Sequence, residues 1–253
     1  MNEKVTRKRL DVLLVERGLA ESRQKAQAMI LAGEIEVDGK KAEKAGATIA
    51  ETARIEVHSR LQKYVSRGGF KLEGALQDFG VSARGRICLD VGSSTGGFTD
   101  CLLQHGAARV YAVDVNTDQL AWKLHGDERV VRIKKNAREL SPKDVSEAVD
   151  LVVADVSFIS VKKVLPGACT CAKNGADLLI LIKPQFELER EDVGKGGIVR
   201  DRELHEVAIQ SVRSAAEALG LRVLGVIPSR LPGAEGNQEY FLHARKVAKV
   251  ESQ

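Results

Sequence analysis

Two hydrophobic rhythms divide this chain. Beyond about residue 85, short continuous apolar runs recur: RICLDVG, RVYAVDV, RVVRIK, VDLVVAD and ADLLILIK, followed later by LRVLGVI and EYFLHAR. Helical spacing fills the gaps and predicts helices around 97–105, 117–124, 160–172 and 201–219. Strands apolar throughout are buried on both faces, and strands alternating with helices build a mostly parallel, covered sheet. The predicted class is α/β.

The first quarter reads differently. KRLDVLLVERG predicts a short helix ended at Gly18, and ESRQKAQAMILAGEIEVDG a second helix, capped by Ser22 and stopped at Gly33, that runs into a strand. Asp38-Gly39 is a hairpin dipeptide, and ARIEVHS closes with another strand. Residues 1–58 are thus expected to form a small α+β domain, 59–65 a linker, and 66–253 the large domain. At the start of the large domain, Leu72, Ala75, Leu76 and Phe79 share one helical face, with Lys71 expected in the first turn. A helix start disfavours positive charge, by about 0.3–1 kcal/mol. Lys71 at that place therefore points to a role outside its own helix.

Composition refines this picture. Apolar residues make up 43% of the 253, enough for a sizeable core, and no run is long enough to span a membrane. No secretory signal is expected from MNEKVTRKRLDVLL, and four scattered cysteines suit a reduced, cytoplasmic protein. Residues 1–71 carry a charge balance of +5 and the remainder −1, so the positive excess lies entirely at one end. That asymmetry suits a polyanion partner.

Candidate chemistry gathers where the large-domain strands end. In open α/β sheets ligands bind beyond the carboxyl ends of the strands. Asp90, Asp114, Asp155 and Lys183 each end a predicted strand, and Glu239 opens the last one. If that last strand is antiparallel, Glu239 reaches the same edge. DVGSSTGGFTD forms a glycine-rich turn between strand and helix, with Gly92, Gly96 and Gly97 allowing close approach, and Asp114 about 20 residues on is placed for ribose hydroxyls. This fits a nicotinamide dinucleotide or S-adenosylmethionine. Ser94 at the middle-glycine position favours S-adenosylmethionine, since a pyrophosphate needs bare backbone there. Two ammonium groups in one site lower each other's proton affinity, which suits a lysine general base.

These motifs carry a specific resemblance. RLDVLL, GLAESRQKAQAMILAGEIEVDGKKA and ARIEV resemble the RNA-binding domain of ribosomal small-subunit protein four, which implies RNA contacts by Arg9, Arg23, Lys25, Lys40 and Lys41. From Lys63 to Arg245 the chain resembles the FtsJ/RrmJ ribose 2′-O-methyltransferases, whose Lys-Asp-Lys-Glu tetrad matches Lys71, Asp155, Lys183 and Glu239. With YVSRGGFKL, ADVSFIS, KPQFE and DVGKGGIVRD added, nearly the whole chain resembles the hemolysin-like TlyA family of rRNA methyltransferases. The resemblance implies a Rossmann-like sheet with its last strand antiparallel, S-adenosylmethionine as cofactor, and ribosomal RNA as partner, with no membrane or DNA. It implies a cofactor pocket of Asp90, Gly92, Ser94, Gly96, Gly97, Phe98, Asp114 and Asn136. Phe98 stands where the superfamily has tryptophan, and Asn136 where an acid is common. Arg67 is added to the RNA contacts, and the polar, glycine-rich stretch 186–201 is read as an RNA-facing loop through Lys195 and Arg200. A nicotinamide oxidoreductase would share the glycine turn but leave Lys183 and the basic module unexplained, and a non-catalytic RNA-binding protein would have no use for the tetrad.

Overall fold

A computed structural model describes residues 6–20, 22–31, 33–57, 63–194, 196–233 and 236–248. Contacts divide the chain into two units, Met1–Lys63 and Tyr64–Gln253. Tyr64 and Val65, assigned to the linker from sequence, belong to the second unit: Tyr64 is fully buried in its core, and the Val65 N–H donates to Asp100 Oδ2 at 2.8 Å.

In the first unit, β1 (Arg7–Arg9) precedes α1 (Leu10–Glu16) and α2 (Arg23–Leu31). Then come β2 (Ile35–Val37), β3 (Lys40–Lys41), β4 (Thr48–Ala50) and β5 (Ile55–Val57). Asp38 and Gly39 both take positive φ, 51° and 76°, the backbone that a tight two-residue hairpin between β2 and β3 requires. Ser22 Oγ accepts the Lys25 N–H at 3.2 Å, capping α2 as its sequence position predicts. The expected helix from residue 8 starts two residues later, because Arg7–Arg9 pair antiparallel with β4. Leu10, Leu14, Ala26, Ile30 and Ile35 form this unit's small core.

The second unit opens with α3 (Arg67–Phe79), closed by Gly80 at φ 65°. Lys71 is the helix's fifth residue, not part of its first turn, and the dipole penalty fades beyond that turn. The sheet follows: β6 (Ile87–Val91), β7 (Arg109–Asp114), β8 (Val130–Lys134), β9 (Val149–Ala154), β10 (Ala172–Ile182), β11 (Leu221–Pro228) and β12 (Tyr240–Lys246). Their spatial order is β11-β12-β10-β9-β6-β7-β8, with β12 antiparallel to both neighbours. From β6 the chain winds outward through β7 and β8, then returns to place β9 on β6's other side. The carboxyl ends of β6 and β9 are therefore the switch point where a crevice opens.

Helices cover both faces: α4 (Gly97–Gln104), α5 (Trp122–His125), α6 (Leu165–Cys171), α7 (Pro184–Glu187) and α8 (Arg202–Ala218). Two expected helices are broken. The 117–124 segment splits into a 3-10 turn (Thr117–Gln119) and α5, because the Ala121 N–H turns aside to Thr95 O at 3.1 Å. The 160–172 segment splits before Pro166, whose missing N–H suits the first turn of α6. Among the described residues no helix is long and apolar enough to cross a membrane.

Candidate active site

The glycine turn leaves β6 at its carboxyl end. The Gly92 and Ser93 N–H groups both donate to Val113 O, at 2.9 and 3.0 Å, so the turn is tied to β7. The Ser94 N–H donates to Asp114 Oδ2 at 2.9 Å and the Asn116 N–H to Oδ1 at 3.0 Å. Asp114 thus fixes the loop, while its spare lone pairs remain to accept further donors. Gly92 has φ 86°, and a Cβ there would collide with the carbonyl of Asp155; one on Gly96, at φ 92°, would collide with Leu120 and Leu124. The backbone has to be bare at both places.

A cleft of about 310 Å³ opens beside this turn. Gly92, Ser94, Gly97 and Phe98 line it, together with Lys71, Asp155, Lys183 and Arg67. Of the other expected cofactor residues, Asp90 is buried within β6, Gly96 ends the turn against Leu120 and Leu124, Asp114 supports the turn, and Asn136 is exposed after β8, capping a short turn through the Arg138 N–H. Phe98 is buried and stacks on Phe241, with ring centroids 6.1 Å apart.

The tetrad resolves into two ion pairs. Lys71 Nζ lies 2.5 Å from Glu239 Oε2, and Lys183 Nζ lies 2.6 Å from Asp155 Oδ1. Topology explains the meeting. β9 and β10 are parallel neighbours, so Asp155 and Lys183 leave the sheet side by side, and antiparallel β12 begins opposite the end of β10, with Tyr240 facing Ile182. Glu239 is thereby carried to the edge that Lys183 leaves. Lys71, 168 residues from Glu239 in sequence, finds its counter-charge across the fold. Sequence reasoning missed Ser157, whose Oγ accepts from Lys183 Nζ at 2.7 Å; its place two residues past Asp155 in ADVSF was the available signal. Next to it Phe158 holds φ 64°, is 90% exposed, and faces the Phe186 ring at 5.5 Å.

Buried polar atoms mark room for a ligand. Asp90 Oδ2 accepts the Thr99 hydroxyl at 2.6 Å, whereas Asp90 Oδ1 and Ser93 Oγ are buried with no hydrogen-bond partner. Burial, opposed in part by the Thr99 hydrogen bond, pushes the Asp90 carboxyl up to about 7. A bare glycine turn, an acid at the end of β7 and unfilled polar atoms beside the cleft fit a nucleoside cofactor carrying a polar tail.

The matched families agree with this geometry. The FtsJ-like methyltransferase family matches residues 64–246, and the S4 domain matches residues 8–55. The chain belongs to the FtsJ-like methyltransferase family. It is similar to the 16S/23S rRNA (cytidine-2′-O)-methyltransferase TlyA of Mycobacterium tuberculosis, 48% identical over 94% of this chain and 90% of that one. It is similar also to Hemolysin A of Brachyspira hyodysenteriae, 46% identical over 93% and 98%. A solved protein of Streptococcus thermophilus matches with a TM-score of 0.75 and 39% identity, covering 96% of this chain and 90% of that one. The chain is an S-adenosylmethionine-dependent methyltransferase with an amino-terminal S4 domain.

In the S4 unit, two expected RNA-contact residues share a buried anchor. Arg9 Nε and Nη2 donate to the two oxygens of Asp11 at 3.0 and 2.9 Å, while Arg23 Nη2 and Gln27 Nε2 reach Oδ2 at 3.2 and 2.9 Å. The Arg9 guanidinium holds the fully buried Asp11 carboxyl well below the usual carboxylate range. Both arginines therefore reach the surface already oriented and partly neutralised. Lys25, Lys40 and Lys41 are exposed, and so are Arg67 at the cleft rim and Arg200. Lys195 lies outside the described residues. The 186–201 stretch is more tied down than its composition implies: the Glu187 carboxylate accepts from Ser160 Oγ and the Val161 N–H, and the Val199 N–H donates to Asn237 Oδ1 at 3.0 Å.

Proposed function

We propose that this enzyme methylates a ribose 2′-hydroxyl of ribosomal RNA, with Lys183 as the general base. The observation that carries the reading is the convergence of Lys71, Asp155 and Lys183 on one cleft beside the glycine turn, with Glu239 paired to Lys71. The relative from M. tuberculosis is named for cytidine 2′-O-methylation of 16S and 23S rRNA, and we extend that substrate class to this chain. The site of action is then the ribosome-containing cytoplasm.

Gly92, Ser94, Gly97 and Asp114 would hold S-adenosylmethionine, and Ser93 Oγ would donate to its polar end. When bound, the cofactor supplies an electrophilic methyl group whose bond electrons leave with sulfur as a neutral thioether. Lys183, ion-paired with Asp155, has to give up a proton before it can act as the base. Its nitrogen takes the 2′-hydroxyl proton as the ribose oxygen forms its bond to the methyl carbon, and Asp155 and Ser157 are placed to stabilise the ammonium that results. Lys71, matched by its own carboxylate, orients the nucleotide without drawing Asp155 away from Lys183. The exposed Phe158 beside Ser157 is suited to stack on an unpaired base. The cationic surface of the S4 unit, Arg9, Arg23, Lys25, Lys40 and Lys41, serves RNA backbone contact. On the catalytic unit Arg67 and Arg200 are assigned to backbone contact as well, and Lys195 is assigned to the same role from sequence.

The test incubates the protein with labelled S-adenosylmethionine and ribosomal subunits lacking modification, then maps methylated riboses. Lys183→Met should abolish transfer and leave cofactor affinity within about twofold, because a base acts in the reaction rather than in cofactor binding. Label found on a base nitrogen or carbon would refute the ribose assignment, and full activity of the variant would refute the base.

A further inference from the structure

Trp122, the chain's single tryptophan, is 86% exposed. An indole gains more from leaving water than almost any side chain, so an exposed one becomes a candidate contact site where its support is rigid and its neighbours supply matching chemistry. Its segment is firmly held. The neighbours Leu120 and Leu124 are 3% exposed and lie against Gly96, and the Ala121 N–H donates to Thr95 O at 3.1 Å. Thr95 lines the cleft, so the exposed ring stands on a support bonded directly to the cofactor turn.

Cations lie along α5 and β8 beside it. His125, three residues along α5, shares the ring's face. Arg132 Nη1 approaches His125 Nδ1 at 3.4 Å, and among the described residues neither has a carboxylate within ion-pair distance. Lys134 lies on the same side of β8 as Arg132, and its only ion pair among the described residues is an exposed 3.7 Å contact with Asp118. β8 ends the sheet, which leaves this row open to a large partner.

We propose that Trp122 is a stacking platform for an unpaired base of the RNA substrate, with Arg132 and Lys134 holding the adjoining phosphates. Aromatic faces interleaved with cations are the elements by which proteins grip single-stranded RNA. An apolar protein partner would leave two cations facing it, whereas a phosphate chain uses both. The proposal rests on the reading of the chain as an RNA-modifying enzyme.

Because Trp122 is the only tryptophan, its fluorescence reports on the site directly. The full chain would be titrated separately with a short single-stranded oligoribonucleotide, with the same strand in a duplex, and with S-adenosylmethionine alone. The single strand should quench the emission strongly, the duplex weakly and the cofactor not at all. By labelled-RNA anisotropy, Trp122→Ala should bind the single strand about five- to a hundredfold more weakly, with Trp122→Phe restoring most of the loss. Both variants should keep the wild-type thermal midpoint and cofactor affinity. Quenching by the cofactor alone would overturn the proposal, as would unchanged RNA binding by Trp122→Ala, or loss of a dimer in that variant on sedimentation. Quenching by RNA together with an absence of ribose methylation would sink the enzyme reading and leave the platform standing.

Discussion

The Lys71–Glu239 pair offers a quantitative test of the site's construction. Glu239 is 2% exposed and the Lys71 side chain 11%, so each is desolvated and has the other as its direct counter-charge. Removing one partner of such a pair costs about 3–5 kcal/mol, because the remaining charge stays buried alone. The better-buried survivor suffers more. Lys71→Met, which strands Glu239, should therefore cost about 5 kcal/mol, and Glu239→Gln, which strands the slightly exposed Lys71, about 3 kcal/mol. The double variant leaves no net charge behind and should lose only about 1–2 kcal/mol, the cost of a poorly satisfied buried amide. The assay is urea unfolding followed by far-ultraviolet circular dichroism, read on the transition of the larger unit. Strong coupling between the two substitutions is the expected result. If the single losses simply add in the double variant, the pair does not act as a buried ion pair and the reasoning is wrong.

Other expectations follow from neighbouring groups. Asp90, with its carboxyl raised to about 7, binds its proton more tightly folded than unfolded, so its contribution erodes stability as pH climbs from about 4 to about 7 and is constant above that. Asp90→Asn keeps an acceptor for Thr99 and removes the buried charge; above pH 7 it should raise the thermal midpoint of the cofactor-free protein, and a midpoint difference independent of pH would contradict the assignment. Gly96→Ala forces a side chain into Leu120 and Leu124 at φ 92°, and is expected to lose about 1–3 kcal/mol of stability along with most cofactor affinity, as measured by calorimetry. Asp11→Ala releases Arg9, Arg23 and Gln27 together; because both arginines are about half exposed, the stability loss should stay within about 1–3 kcal/mol, while RNA affinity falls through disorder of the two guanidinium groups. Unchanged RNA binding by that variant would show that neither arginine meets the substrate.

Periodicity and end-of-strand chemistry were local properties, and the chain carried them openly. Seven apolar runs became the seven strands of the large sheet, and Asp155, Lys183 and Glu239 flank strand ends because the packed interior of a covered sheet leaves polar side chains to the segments just beyond it. The glycine turn and the Asp38-Gly39 hairpin were equally legible, since each depends on backbone conformations few other residues adopt. Partnership was not local. Nothing along the chain says that Lys71 belongs to Glu239 and Lys183 to Asp155; the reversal of β12 decides it, by returning a late segment to an edge built much earlier. Nor could sequence show that Asp11 would be buried beneath two arginines, that Asp90 would be left with an unpaired oxygen, or that Trp122 would stay in water. Burial is a sum over neighbours from the whole chain, so charge and exposure at one position are set only when all the others have arrived.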